Sequence, residues 1–245
     1  MMNKQNITRL SLSIALAMLL ITLLIPIQFV SAEGADKTTL DISFGRITIG
    51  DGVVSGYNEA GILIEIADPE GYLITGTTVE NTITVTGGAH SIILSSASVN
   101  VGSINNSCAL SIQTGATVNL TLNGTSELVS GENCAGIQVP NESTIVIAGT
   151  GLLSAQGGIY GAGIGGGRAQ SSGSITISGG TVTAIGGSRA AGIGGGGNTD
   201  GSNNGDFNNG GNAENGGLFN MSGGTVTATG GSRGAGIGGG GGGDG

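Results

Sequence analysis

The tripeptide Ala-Gly-Ile recurs at Ala135-Gly136-Ile137, Ala162-Gly163-Ile164, Ala191-Gly192-Ile193 and Ala235-Gly236-Ile237. The isoleucines are 27, 29 and 44 residues apart, and near-constant spacing of this size is the mark of stacked repeats rather than of one folded-in core. The third interval is long because a polar loop, residues 198–216, is inserted. Outside it the last two units agree almost letter for letter, Ile177-Ser-Gly-Gly-Thr-Val-Thr-Ala against Met221-Ser-Gly-Gly-Thr-Val-Thr-Ala.

Within a unit the apolar residues alternate in three short runs, for example Ser174 to Ser178, Thr181 to Ala184 and Ala191 to Gly194. Period-two alternation predicts short strands with one face inward. Three strands and three corners in about 27 residues predict one rung of an all-β, parallel β-helix, with Gly-Gly pairs at the corners where φ must turn positive. The same grammar continues upstream through Ile47 to Ile49, Leu63 to Ile66, Tyr72 to Thr75, Thr82 to Val85, Ile92 to Leu94, Val99 to Val101 and Val118 to Leu122. Fifty-three glycines with three prolines and no Gly-X-Y period exclude collagen. Aromatic residues at 3% leave only a thin core of Ile, Val, Leu and Ala.

The amino terminus has Lys4 and Arg9, an apolar stretch from Leu12 to Ile25, Pro26, and then Val30-Ser31-Ala32. This predicts a secretory signal peptide over residues 1–32, with an uncleaved anchor as the alternative, and a single domain over residues 33–245. The mature protein is then extracellular, secreted or at the cell surface, with no membrane association of its own. Five basic residues would face sixteen acidic ones after cleavage, a balance that excludes nucleic acid as partner. The chain ends in Gly238 to Gly245, interrupted by Asp244, without the polar cap that solenoids carry, so truncation of a longer protein is expected.

The segments Asn81-Thr-Ile-Thr-Val, Cys108-Ala-Leu-Ser-Ile, Gly115 to Thr125, Ala135-Gly-Ile-Gln-Val-Pro and the Gly161-Ala-Gly-Ile-Gly-Gly-Gly repeats together resemble a family of secreted bacterial carbohydrate-binding proteins. The likeness covers roughly residues 40–245 and is most specific over 108–197. It implies a right-handed parallel β-helix that binds plant cell-wall or other polysaccharides, acidic ones included, with calcium held in the helix.

Residues with chemical potential are few. Cys108 and Cys134 are 26 apart, one rung, so they stack about 5 Å apart, either as a disulfide or as free thiols in an apolar ladder. His90 alone in the turn after Gly87-Gly88-Ala89 reads as a solvated turn residue. Acidic residues do not form columns in the repeat, so the two-carboxylate arrangement of a glycosidase is not visible and no enzyme is expected; Asp68, Glu70 and Glu80 are the nearest thing to a group. Two residues after the shared glycines stand Asn133, Tyr160, Arg189 and Arg233. A glycan along the axis would stack on Tyr160 and pair with the arginines, or these are variable solvent-facing corner positions. The run Asp200-Gly-Ser202-Asn-Asn204-Gly205-Asp206 places oxygen ligands at alternate positions for a calcium ion, Asp200, Asn204 and Asp206 among them, but lacks the bidentate Glu of an EF-hand; a plain Asn/Gly insertion is the other reading. The expected function is non-catalytic binding of polysaccharide, cellulose or acidic cell-wall glycans, and the alternative is a structural or adhesive surface spacer without glycan affinity.

Overall fold

Three ladders of β-strands run side by side through the described residues. The structure, a computed structural model, describes residues 37–65, 67–198 and 214–242. The predicted signal segment and residues 199–213, with the expected calcium ligands Asp200, Asn204 and Asp206, lie outside the described residues. Among those described, the first sheet stacks Thr38–Asp41, Tyr72–Thr75, Ala89–Ser95, Thr117–Asn123, Thr144–Gly149, Ser174–Ile177 and Leu218–Met221, all parallel. The second stacks Ile47–Gly50, Ile83–Val85, Leu110–Ile112, Ile137–Gln138, Ile164–Gly165, Ile193–Gly194 and Ile237–Gly238. The third runs from Thr77–Thr78 through Ser98–Asn100, Thr125–Val129, Leu152–Gln156 and Thr181–Ile185 to Thr225–Thr229. The chain visits the second, first and third sheets in turn, one rung per circuit, which is the parallel β-helix that the spacing predicts.

Identical positions stack because the side-chain period of a strand is two and each rung repeats the last. The second sheet builds one row from Ile47, Ile83, Leu110, Ile137, Ile164, Ile193 and Ile237, and all but Ile237 are fully buried. The first sheet adds Leu120, Ile147 and Ile177 in register, and the third adds Leu128, Ala155 and Ala184. Burying each large aliphatic side chain contributes roughly 2 kcal/mol, so a core only one residue thick is stabilised by its length.

The Ala-Gly-Ile motif has a steric reason. Ala135, Ala162 and Ala191 are buried in the corner that leads into the second sheet. A Cβ on Gly163 would lie 2.5 Å from the Ile185 amide nitrogen and 2.6 Å from the Gly192 carbonyl oxygen, both backbone atoms. Gly136 and Gly192 meet the same obstruction from Gln156 and Thr229. Glycine is therefore the residue that lets the corner close against the end of the third sheet.

The amino-terminal part departs from the repeat. Leu63–Ile64 is not a rung strand but pairs antiparallel with Val53–Tyr57, which pairs antiparallel with Ile47–Gly50. The cause is the two-residue turn Asp51-Gly52 between the paired Gly50 and Val53, a strong hairpin signal that folds the chain back before a circuit is complete. The resulting meander lies at the side of the second sheet and gives its first parallel strand a second neighbour. The early circuits also differ in length: Thr38 pairs with Tyr72, and Tyr72 with Ile92.

Candidate functional site

The corner entered after the third sheet is where the predicted column lies. Gly131, Gly158, Gly187 and Gly231 stack so closely that a Cβ on any of the last three would collide with the carbonyl of the glycine one rung before. Their neighbours are held in register by backbone bonds: Tyr160 N donates to Glu132 O (2.9 Å), Arg189 N to Ile159 O (3.2 Å) and Arg233 N to Ser188 O (3.2 Å). Asn133, Tyr160, Arg189 and Arg233 therefore occupy one corner on successive rungs, as the sequence spacing predicts.

The side chains interact. The Arg189 guanidinium lies 5.8 Å from the centre of the Tyr160 ring, and that of Arg168 lies 5.3 Å from it. Both distances are those of cation–π pairs, each contributing about 0.5–1 kcal/mol at an exposed site. Arg189 also donates from Nη1 to the carbonyl of Asn198 (3.3 Å). Arg168 is the residue that sequence reasoning missed. It stands eight residues after Tyr160, and its backbone N donates to Asn133 O (2.8 Å), so the return of the chain brings it back to this corner. Gly197 and Gly241 make the equivalent bonds to Tyr160 and Arg189 on the next two rungs, so a repeat alignment shows Arg168 where those two rungs have glycine.

Asn133 donates from Nδ2 to Asn106 Oδ1 (2.6 Å), extending the column back by one rung. Its own Oδ1 is buried without a hydrogen-bond partner, an acceptor left open at this corner. Beside it Cys108 and Cys134 are joined by a disulfide with a Cα–Cα separation of 5.1 Å, which ties the corner to the start of the second sheet's strand one rung earlier.

The acidic group upstream has a structural role. Asp68 accepts from Thr38 N (2.8 Å) and Thr38 Oγ1 (2.7 Å) with one oxygen and from Glu70 N (2.9 Å) with the other. Burial alone would raise its pKa, but the hydrogen bonds from Thr38 and Glu70 and the charge of Lys37 outweigh it and hold the carboxyl below its ordinary 3.8. His90 is half-buried, its Nε2 2.5 Å from Gly87 O, and with Asp51 and Asp68 it borders a cavity of about 270 Å³. It is thus a wall of a cleft rather than a freely solvated turn residue. Glu127 is followed along its row by Ser154, Thr183 and Thr227, so that row does not pair carboxylates. Among the described residues, no three His, Cys, Asp or Glu side chains gather as a metal site.

A family model described as a beta helix repeat matches residues 175–197 and 219–241. These are two copies of the repeat. They begin 44 residues apart and pair in register, Ile175 on Phe219, so Arg189 and Arg233 hold the same place in each. No curated protein and no solved structure matches the chain.

Proposed function

We propose that this β-helix is a non-catalytic polysaccharide-binding module of the cell exterior. The observation that carries the reading is the placement of charge. Beyond residue 36 the acidic chain has five basic residues, Lys37, Arg46, Arg168, Arg189 and Arg233; two of them, Arg168 and Arg189, rest on Tyr160, and Arg233 follows Arg189 on the next rung. An aromatic ring edged by guanidinium forks suits a sugar ring bearing carboxylates, and the rung spacing of about 4.8 Å repeats that offer along the axis. Calcium belongs to the same proposal as a structural ion, with Asp200, Asn204 and Asp206 as its ligands.

The test is retention of the purified protein on polygalacturonate and on cellulose, with and without calcium. Tyr160→Ala and Arg189→Ala are each expected to weaken retention on polygalacturonate about tenfold, the equivalent of about 1.4 kcal/mol, while the circular dichroism spectrum stays that of the folded β-helix. One observation favours the alternative of a surface spacer: both Arg168 and Arg189 already rest on Tyr160, so the corner satisfies part of its own bonding. Folded protein that is retained on no glycan would establish the spacer.

A further inference from the structure

We infer that a second corner, between the second and first sheets, is a binding groove for an uncharged glycan; this rests on the polysaccharide reading and adds a site of opposite charge to it. The chain crosses this corner through connections that lengthen rung by rung, from 113–116 to 139–143 to 166–173. A uniform solenoid corner is flat, but unequal connections leave a trough. Here the trough has a volume of about 450 Å³, inside the range of roughly 300–1,000 Å³ typical of ligand sites. Its residues come from four successive rungs, Thr114, Asn141 with Glu142, Gln170 with Ser171, and Glu214. Three steps of about 4.8 Å make it about 14 Å long, parallel to the helix axis.

The walls are fastened to one another. Ser171 Oγ donates to Glu214 Oε2 (3.1 Å) and accepts from Asn215 N (3.3 Å), while Ser172 N donates to Asn215 O (3.0 Å). Ser143 donates from N and Oγ to Pro140 O, and Pro140 bridges to Ser172. Glu142 and Ala169 keep φ values of 65° and 54°, unusual for residues with a Cβ. Such a groove is organised before any ligand arrives, which lowers the entropy lost on binding.

Its chemistry selects the ligand. Glu142 and Glu214 only accept, Asn141 and Gln170 both donate and accept, and Thr114 and Ser171 add hydroxyls. Pro140 and Ala169 provide apolar surface. Sugar hydroxyls donate to the carboxylates and accept from the amides. Among the described residues no basic side chain lines the groove, so a polyuronate meets two like charges, whereas a neutral glycan of the same shape meets none. Arg168, next to Ala169 in sequence, lies with its guanidinium over the Tyr160 ring.

The experiment is calorimetric titration of the purified protein with a soluble cello-oligosaccharide and, separately, with an oligogalacturonate. Glu142→Gln combined with Gln170→Ala is expected to weaken the cello-oligosaccharide about tenfold, the loss of one hydrogen bond to a charged acceptor, and to leave the oligogalacturonate unweakened. Slowed amide exchange over 139–143 and 166–173 on adding the cello-oligosaccharide is the second expected result, and it needs no variant. Unchanged affinity in the double variant, equal loss from Tyr160→Ala, or oligogalacturonate as the ligand protecting those amides would each overturn the groove. Failure of the wild type to bind the neutral sugar while polygalacturonate is retained removes the groove and leaves the broader reading. Loss of both ligands from folded protein removes both.

Discussion

The glycine of Ala-Gly-Ile is set by its neighbours' backbone rather than by its own φ. Gly163 has nowhere to put a methyl group because two backbone atoms stand within 2.6 Å of it, and backbone in a stacked solenoid moves only if the adjoining rungs move. Gly163→Ala is therefore expected to destabilise by about 3 kcal/mol, in the range of overpacked or strained sites, read as a shift in the urea midpoint. Gly115, with open space around its missing Cβ but φ of 86°, makes a contrasting control whose penalty is conformational alone. Asp68 predicts a pH effect. Because its folded pKa lies below 3.8, it stabilises the fold fully above that value, and the contribution is lost as pH falls through the folded value. Melting temperature plotted against pH should show Asp68→Asn below the wild type near neutrality and converging with it in acid.

Single elements here are too short to stand alone, since strands such as Ile164–Gly165 have two residues. What places them is the corner. The disulfide closes a segment with a sequence separation of 26 at such a corner, and the loop-entropy relation assigns a closure of this size about 3.5 kcal/mol. Cys134→Ser should lower unfolding free energy by about that amount in chemical denaturation. The internal strands of the repeat were legible because their alternation is strict, as in Thr181–Ile185 with Val182 and Ala184 buried. Leu63 to Ile66 shows the same alternation as a rung strand, so alternation alone does not tell the amino-terminal meander from the repeat. The distinguishing signal was Asp51-Gly52, a turn that reverses direction. The Tyr160 column was legible by counting from glycine to glycine, but Arg168 was not, since it lies beyond Ile164–Gly165 and meets Tyr160 only because the chain doubles back across that short strand.

Across the whole molecule, stability follows from each rung's two neighbours. Among the described residues, the rung of Leu218–Met221, Thr225–Thr229 and Ile237–Gly238 has a partner on one side only, and Leu218, Met221 and Ile237 are 66%, 46% and 50% exposed. Amides of 218–221 and 225–229 are expected to exchange with solvent faster than those of 117–123 and 144–149, which are paired on both sides. The sequence by itself determined the β-helix, its rung length, the aliphatic rows and the stacking of Asn133, Tyr160, Arg189 and Arg233, because a repeat turns distance along the chain into position around the axis. Only the tertiary structure decided the antiparallel start, the approach of Arg168 to Tyr160 and the groove from Thr114 to Glu214. Those features arise where connections differ in length between rungs, and there the path of the backbone, not the spacing of residues, determines which side chains meet.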